Sequence, residues 1–124
     1  MIALGKFLIQ QEPAPVFLFL SHIPLDHIKG IPYFAPFWKP EWKVHMFAGF
    51  LDGHCGGTAY LKRHIAPPPL FPISFTSFPA QILLQDISAY TTVPRPGFEV
   101  TTFPLNHPGG ALGYRLNFQH YVML

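Results

Sequence analysis

Four residues with metal-binding side chains fall in two short stretches of the chain. The first stretch, 21–27, contains His22, Asp26 and His27, and it directly follows the apolar run 16–20. Imidazole nitrogens and carboxylate oxygens bind zinc and the neighbouring transition metals, so these side chains could converge on one ion. Because Asp26 and His27 are adjacent, each could also face a different ion. The alternative is a loop in which Asp26 caps the helix that follows.

The second stretch, 105–115, contains His107 directly before Pro108-Gly109-Gly110. Proline followed by two glycines predicts a sharp turn, because glycine adopts positive φ and lets the backbone approach another group closely. His107 therefore comes at the end of a predicted strand and at the start of a turn. The alternative is a hairpin turn that is preceded by a histidine without a function.

Alternating apolar and turn-forming segments predict an α/β fold. Helices are predicted over 2–12 and 51–65, with a short helix from Asp26 or His27 toward Gly30. Strands are predicted over 16–20, 43–47, 81–86, 98–103 and 112–118, and irregular structure over 33–42 and 67–79. Ligands usually bind at the C-terminal ends of strands in open α/β sheets, so both histidine stretches lie where a site is expected.

Composition excludes several classes of protein. The chain has 124 residues, which fits one domain, and only 11% are charged, against about 25% in ordinary globular chains, so charge-driven disorder is excluded. A net charge of +2 with scattered basic residues gives no indication of a nucleic-acid partner. The single cysteine, Cys55, excludes an internal disulfide. Prolines interrupt the longest uncharged stretch and no signal-peptide core precedes it, so we expect a cytoplasmic protein without a membrane span.

Taken together, the two histidine stretches resemble the metallo-β-lactamase superfamily of metal-dependent hydrolases. The hallmark of that family is a His-x-His-x-Asp-His loop after a buried strand, which here corresponds to His22, Pro24, Asp26 and His27. The continuation 28–34 is similar to the short helix and Gly-x-Pro step that follow in the family. His107 in the Asn-His-Pro-Gly-Gly stretch is similar to the third motif histidine of one branch, which has phosphodiesterase-like relatives.

The resemblance implies a partial αββα sandwich, formed by residues 1–124 as a single incomplete domain, with a metal site between its sheets. One ion would be bound by His22 and His107, and a second by Asp26 and His27, with Asp26 also the catalytic carboxylate. The cofactor would be zinc, as one or two ions, with manganese or iron as alternatives. The activity would be hydrolysis of a small-molecule substrate, a phosphodiester or another ester, by a metal-activated hydroxide.

Pro24 separates this chain from the family pattern, because proline has no side-chain donor at a position where the pattern has a ligand. The last ligands of the pattern are also not found before Leu124. We therefore expect impaired hydrolysis, and the alternative function is a non-catalytic fragment or small binding module with weak or no metal binding. Half a sandwich would leave apolar surface uncovered, which favours self-association.

Two further groups of residues have weaker patterns. His45, Asp52, His54 and Cys55 could form another metal cluster, although adjacent ligands on one short segment rarely reach the same ion. The aromatic side chains of Phe34, Phe37, Trp38 and Trp42 could line a substrate entrance. Aromatic residues are more often core residues, so core packing is the stronger interpretation.

Overall fold

The computed structural model describes residues 1–22, 29–49, 57–65, 74–118 and 121–123, and only the backbone of 64–65 and 121–123. Two α-helices are described, α1 (Ile2–Leu8) and α2 (Gly57–Ile65), with three short 3-10 helices at Ile31–Tyr33, Ala35–Trp38 and Phe75–Ser77. The strands are β1 (Val16–Leu20), β2 (Lys43–Gly49), β3 (Gln81–Ile87), β4 (Thr92–Arg95), β5 (Phe98–Leu105), β6 (Ala111–Phe118) and β7 (Tyr121–Met123).

The strands form two small sheets, so the described chain is a mixed α/β structure. The first sheet is parallel with the order β1-β2-β3, and Phe17 pairs with His45, which pairs in turn with Leu83. The second sheet is antiparallel with the order β4-β5-β6-β7. Described helical segments lie between the parallel strands, whereas short turns join β4 to β5 and β5 to β6, as the two kinds of pairing require.

The central strand β2 separates two hydrophobic cores. Successive side chains of a strand point to opposite faces. Val44, Met46 and Ala48 are fully buried on one face, against the helices and the 3-10 segments. On the other face, Phe47 is buried between the two sheets. Both faces of the parallel sheet are therefore covered, one by helical segments and one by the antiparallel sheet.

The core between the sheets combines residues of five strands. Its buried members are Phe47, Ile87, Val93 and Leu112. Phe19 of β1 stacks on Phe47 of β2, with ring centroids 4.7 Å apart. All five residues of β1 are only half-buried, whereas a strand buried on both faces was predicted. The reason is that β1 lies at the edge of its sheet, where one side lacks a neighbouring strand.

Aromatic residues form most of the core under the helical layer. Phe34 and Phe37 are fully buried and lie edge to face, and Phe75 and Phe78 surround Phe37. The indole of Trp38 is half-exposed and donates a hydrogen bond to the Pro32 carbonyl at 2.9 Å. Of the proposed entrance aromatics, Phe34, Phe37 and Trp42 are therefore core residues.

The structure differs from the sequence prediction in several places. Helix α1 ends at Leu8 rather than at residue 12. The segment 33–42, predicted irregular, contains the 3-10 helix Ala35–Trp38 and the last residue of the 3-10 helix Ile31–Tyr33. Strands β4 and β7 were not predicted. Asp86 accepts a hydrogen bond from the Thr58 amide at 2.8 Å, so its carboxylate stabilises the first turn of α2. Among the described residues, no helix is long and apolar enough to span a membrane.

The buried hydroxyl of Thr102 stabilises the chain segment that leads into the antiparallel sheet. Its side chain is 1% exposed, donates a hydrogen bond to the Ser88 carbonyl at 2.6 Å and accepts one from the Thr91 amide at 2.9 Å. We expect Thr102→Val to lower the free energy of unfolding by about 0.5–1.5 kcal/mol, because it removes the hydrogen bonds of a buried hydroxyl to the Ser88 carbonyl and the Thr91 amide. Urea denaturation would measure this loss.

The matched control is Thr101→Val. Thr101 is half-buried on the opposite face of β5, where its hydroxyl lies 3.4 Å from that of Thr92. We expect this variant to stay within about 0.5 kcal/mol of the wild type. Equal losses in the two variants would contradict the role assigned to the Thr102 hydroxyl.

Candidate functional site

The two sheets are joined by hydrogen bonds at the C-terminal end of β1. The Leu112 amide donates to the Ser21 carbonyl at 2.7 Å, and the Tyr114 hydroxyl donates to the Leu20 carbonyl at 2.6 Å. Burial raises the pKa of Tyr114, so its hydroxyl keeps the proton that it donates. The bonds join β6 to the last residue of β1 and to the residue after it, and they fix the backbone directly before His22.

A close approach of β2 and β6 completes this junction. A Cβ atom at Gly49 would lie 3.0 Å from the Leu112 side chain, so glycine is what lets β6 come this near. The chain leading into β6 is thereby held over the end of β1, and that chain contains His107.

The turn after His107 has the geometry that its sequence predicts. The Gly110 amide donates to the His107 carbonyl at 2.9 Å, and φ is +79° at Gly109 and +81° at Gly110. Both φ values lie where glycine is strongly favoured, so the predicted sharp turn is confirmed. The turn reverses the chain between β5 and β6 and leaves the His107 side chain exposed at its start.

The structure brings His22 and His107 together. Their ring centroids are 4.8 Å apart and the ring planes are inclined at 52°. Two imidazoles on one tetrahedral zinc ion place their ring centres about 5 Å apart, since each Zn–N bond is about 2 Å long. The spacing of the two rings is therefore compatible with a shared ion, although they are 85 positions apart in the chain.

Hydrogen bonds orient both rings. Nδ1 of His107 lies 2.8 Å from the Pro108 carbonyl oxygen. A carbonyl only accepts, so Nδ1 is the nitrogen that carries the proton, and in the neutral ring the lone pair is on Nε2. Nδ1 of His22 lies 3.0 Å from the Ser21 hydroxyl, which can donate or accept. A hydrogen bond at one ring nitrogen is the usual way in which proteins orient a metal-binding histidine.

The other predicted site residues are not among those that the structure describes. Asp26, His27 and Pro24 lie outside the described residues, as do Asp52, His54 and Cys55 of the weaker cluster. Within the described part of the chain, no group of three or more His, Cys, Asp or Glu side chains is close enough to hold a metal ion. The metal-binding roles of His22, Asp26, His27 and His107 therefore stay predictions.

Sequence reasoning missed the contribution of Tyr114 to this region. Its hydroxyl is the donor to Leu20, 94 residues away, and its ring also contacts Phe19 at 5.3 Å between centroids. A tyrosine within an apolar strand gives no signal of such a partner, because the partner is a backbone carbonyl in another sheet.

A scan of the chain against protein-family models and a search of curated proteins both found no match.

Tyr114→Phe tests whether the junction positions the two histidines. We expect a loss of about 0.5–1.5 kcal/mol in the free energy of unfolding, because the Leu20 carbonyl loses its hydroxyl donor. The imidazole resonances of His22 and His107 should shift in NMR spectra, whereas those of His45 should not.

Tyr90→Phe is the matched control, because Tyr90 is 82% exposed. It should change neither the stability nor the histidine resonances. Unchanged His22 and His107 resonances in Tyr114→Phe would contradict a positioning role for this hydroxyl.

Proposed function

We propose that the chain is a metal-dependent hydrolase of the metallo-β-lactamase fold in which His22 and His107 provide part of a zinc site. The observation that carries the proposal is the 4.8 Å separation of the two imidazole rings at the C-terminal end of β1. Two loops that both follow strands meet there, and this is the usual location of a site in an α/β protein.

The order of layers supports the fold part of the proposal. A helical layer, the parallel sheet and the antiparallel sheet follow one another, with one core on each side of the parallel sheet. An αββα sandwich has these three layers and a second helical layer. We infer that the described layers correspond to the first three, with the candidate site at the edge of the two sheets.

The chemistry of the donors fits zinc. Structural and catalytic zinc sites use three or four protein ligands, and histidine is a common one. His22 and His107 would provide two ligands to one ion, and we assign Asp26 and His27 as ligands of a second ion beside it. Bound zinc, or manganese or iron in its place, would supply a Lewis acid and lower the pKa of a water molecule.

The residues of this chain have separate roles in the proposal. The hydrogen bond from His107 to the Pro108 carbonyl holds the ring in one tautomer, with Nε2 as the metal-binding nitrogen. Asp26 would bind the ion and orient the attacking water toward a phosphodiester or another ester. Pro24 supplies no donor atom, so we propose a weakly bound metal and slow turnover.

Pro24 also favours a second candidate function. With one ligand position lost, the same loops could form a non-catalytic module that binds zinc weakly or not at all. Metal binding and turnover, measured separately, distinguish the two functions.

Zinc binding should depend on both histidines. We expect His22→Ala and His107→Ala each to weaken zinc binding by more than about tenfold in calorimetric titration, because each removes one of a few bonds to the ion. The matched control is His45→Ala, which removes a histidine from the opposite end of the parallel sheet and should change the affinity by less than about twofold. Wild-type affinity in both His22→Ala and His107→Ala would contradict the proposed site.

Replacing Pro24 should strengthen the same site. We expect Pro24→His to raise the zinc affinity, since it adds an imidazole to the ligand set, and to raise the hydrolysis of bis-nitrophenyl phosphate. Turnover should be lost when a chelator is added. The control is Pro24→Ala, which removes the proline ring without adding a donor. Tighter zinc binding without turnover in Pro24→His would favour the non-catalytic module, and equal zinc affinity in the histidine and alanine variants would contradict a metal site in this loop.

A further inference from the structure

A cleft lies at the end of the two sheets opposite to the His22–His107 pair. It has a volume of about 640 Å³ and lies between the first residues of β1 and β2 and the middle of β3 on one side and the end of β4 on the other. The residues that matter for its chemistry are Pro15, Phe17, Lys43, His45, Leu83 and Arg95. Volumes of 300–1,000 Å³ are typical of small-molecule sites.

The floor of the cleft is a row of side chains in register across the parallel sheet. Phe17, His45 and Leu83 are paired neighbours on β1, β2 and β3. The rings of Phe17 and His45 stack with centroids 4.9 Å apart and an interplanar angle of 21°. The floor therefore offers flat, largely apolar surface with one imidazole at its centre.

The polar groups of the cleft are mostly basic. Lys43 lies two residues before His45 on the same face of β2, and Arg95 reaches in from β4. Arg95 places its guanidinium carbon 5.7 Å from the centre of the Phe17 ring and 5.2 Å from that of Phe47. The residues described as lining the cleft include no carboxylate.

One donor of Arg95 is unused. Its Nη1 group donates to the Pro94 carbonyl at 2.9 Å, but its buried Nε has no hydrogen-bond partner among the described residues. Arg95 is part-exposed, and its guanidinium has further N–H donors in a planar fork, for which an anion in the cleft is a natural acceptor.

His45 is sensitive to the charge in this cleft. Burial lowers its pKa, and the neighbouring charges of Lys43 and Arg95 lower it further. These are the charged groups that face the ring from β2 and β4, while Phe17 on β1 and Leu83 and Gln85 on β3 are neutral. The negative charge of a bound anion would act in the opposite direction to the two cations and raise the pKa of His45.

We propose that this cleft binds an organic phosphate, with the phosphoryl group held by Lys43, His45 and Arg95 and the apolar part against Phe17 and Leu83. A phosphate dianion matches two fixed cations and an imidazole that can become a third. Arginine suits this role because its planar fork of donors fits phosphate oxygens.

The cleft is separate from the histidine pair and does not depend on the function proposed above. Phe17 and His22 are five residues apart along an extended strand, which corresponds to about 16 Å. Binding at the cleft should therefore be independent of zinc, and it is best measured with a chelator present.

The test uses phenyl phosphate as the probe, with inorganic phosphate and phenol as comparison ligands, in calorimetry and NMR at pH 7 with chelator. Phenyl phosphate should bind more tightly than either comparison ligand and should shift the resonances of Lys43, His45 and Arg95. The bound ligand should also raise the pKa of His45, measured from its ring resonances.

Lys43→Gln is the principal variant, because Lys43 is exposed and its loss should leave the fold intact. It should weaken phenyl phosphate binding by about fivefold to tenfold through the loss of one charge-assisted hydrogen bond. Lys6→Gln, which removes an exposed lysine from α1, is the control and should bind as the wild type does. Arg95→Lys, which keeps the positive charge but loses the planar set of guanidinium donors, should also bind phenyl phosphate more weakly.

Three results would overturn the proposal. One is binding of phenol as tight as that of phenyl phosphate, and another is equal affinity in Lys43→Gln and Lys6→Gln. The third is an unchanged pKa of His45 at saturating phenyl phosphate.

Discussion

The junction of the two sheets at the end of β1 is the constraint on which the rest of the structure depends. Two donors of β6, the Leu112 amide and the Tyr114 hydroxyl, bind consecutive carbonyls of Ser21 and Leu20. A pair of partly buried hydrogen bonds between different sheets fixes both their separation and their register. It holds His22 beside His107 at one end, and the two sheets leave a basic cleft at the other.

The central strand β2 contributes apolar residues to both hydrophobic cores. Its alternate side chains enter two cores, one under the helical layer and one between the sheets. A strand that is covered on both faces has no solvent-facing row for charged residues. Three of the charged residues in the strands have specific positions: Asp86 bonds to the start of α2, and Lys43 and Arg95 lie at the open end of the sheets.

Much of the fold could be predicted from hydrophobic pattern, and the failures have physical causes. Strands β1, β2, β3, β5 and β6 were predicted because each is a run of apolar or β-branched residues between turn-forming residues. Strand β4 was missed because Pro94 lacks an amide donor and argues against a strand. It is tolerated because β4 is at the edge of its sheet, where proline is permitted. Strand β7 has three residues, too few for a periodic pattern.

The sequence by itself determined which metal-binding side chains are present and that His22 and His107 each follow a strand. It also determined the turn after His107, because proline and two glycines favour that geometry locally. Only the tertiary structure decided that the two rings are neighbours, that the Tyr114 hydroxyl reaches the Leu20 carbonyl, and that Lys43, His45 and Arg95 share a cleft. The physical reason is that local sequence sets backbone conformation, whereas distances between side chains of separate strands are set by how the sheets pack.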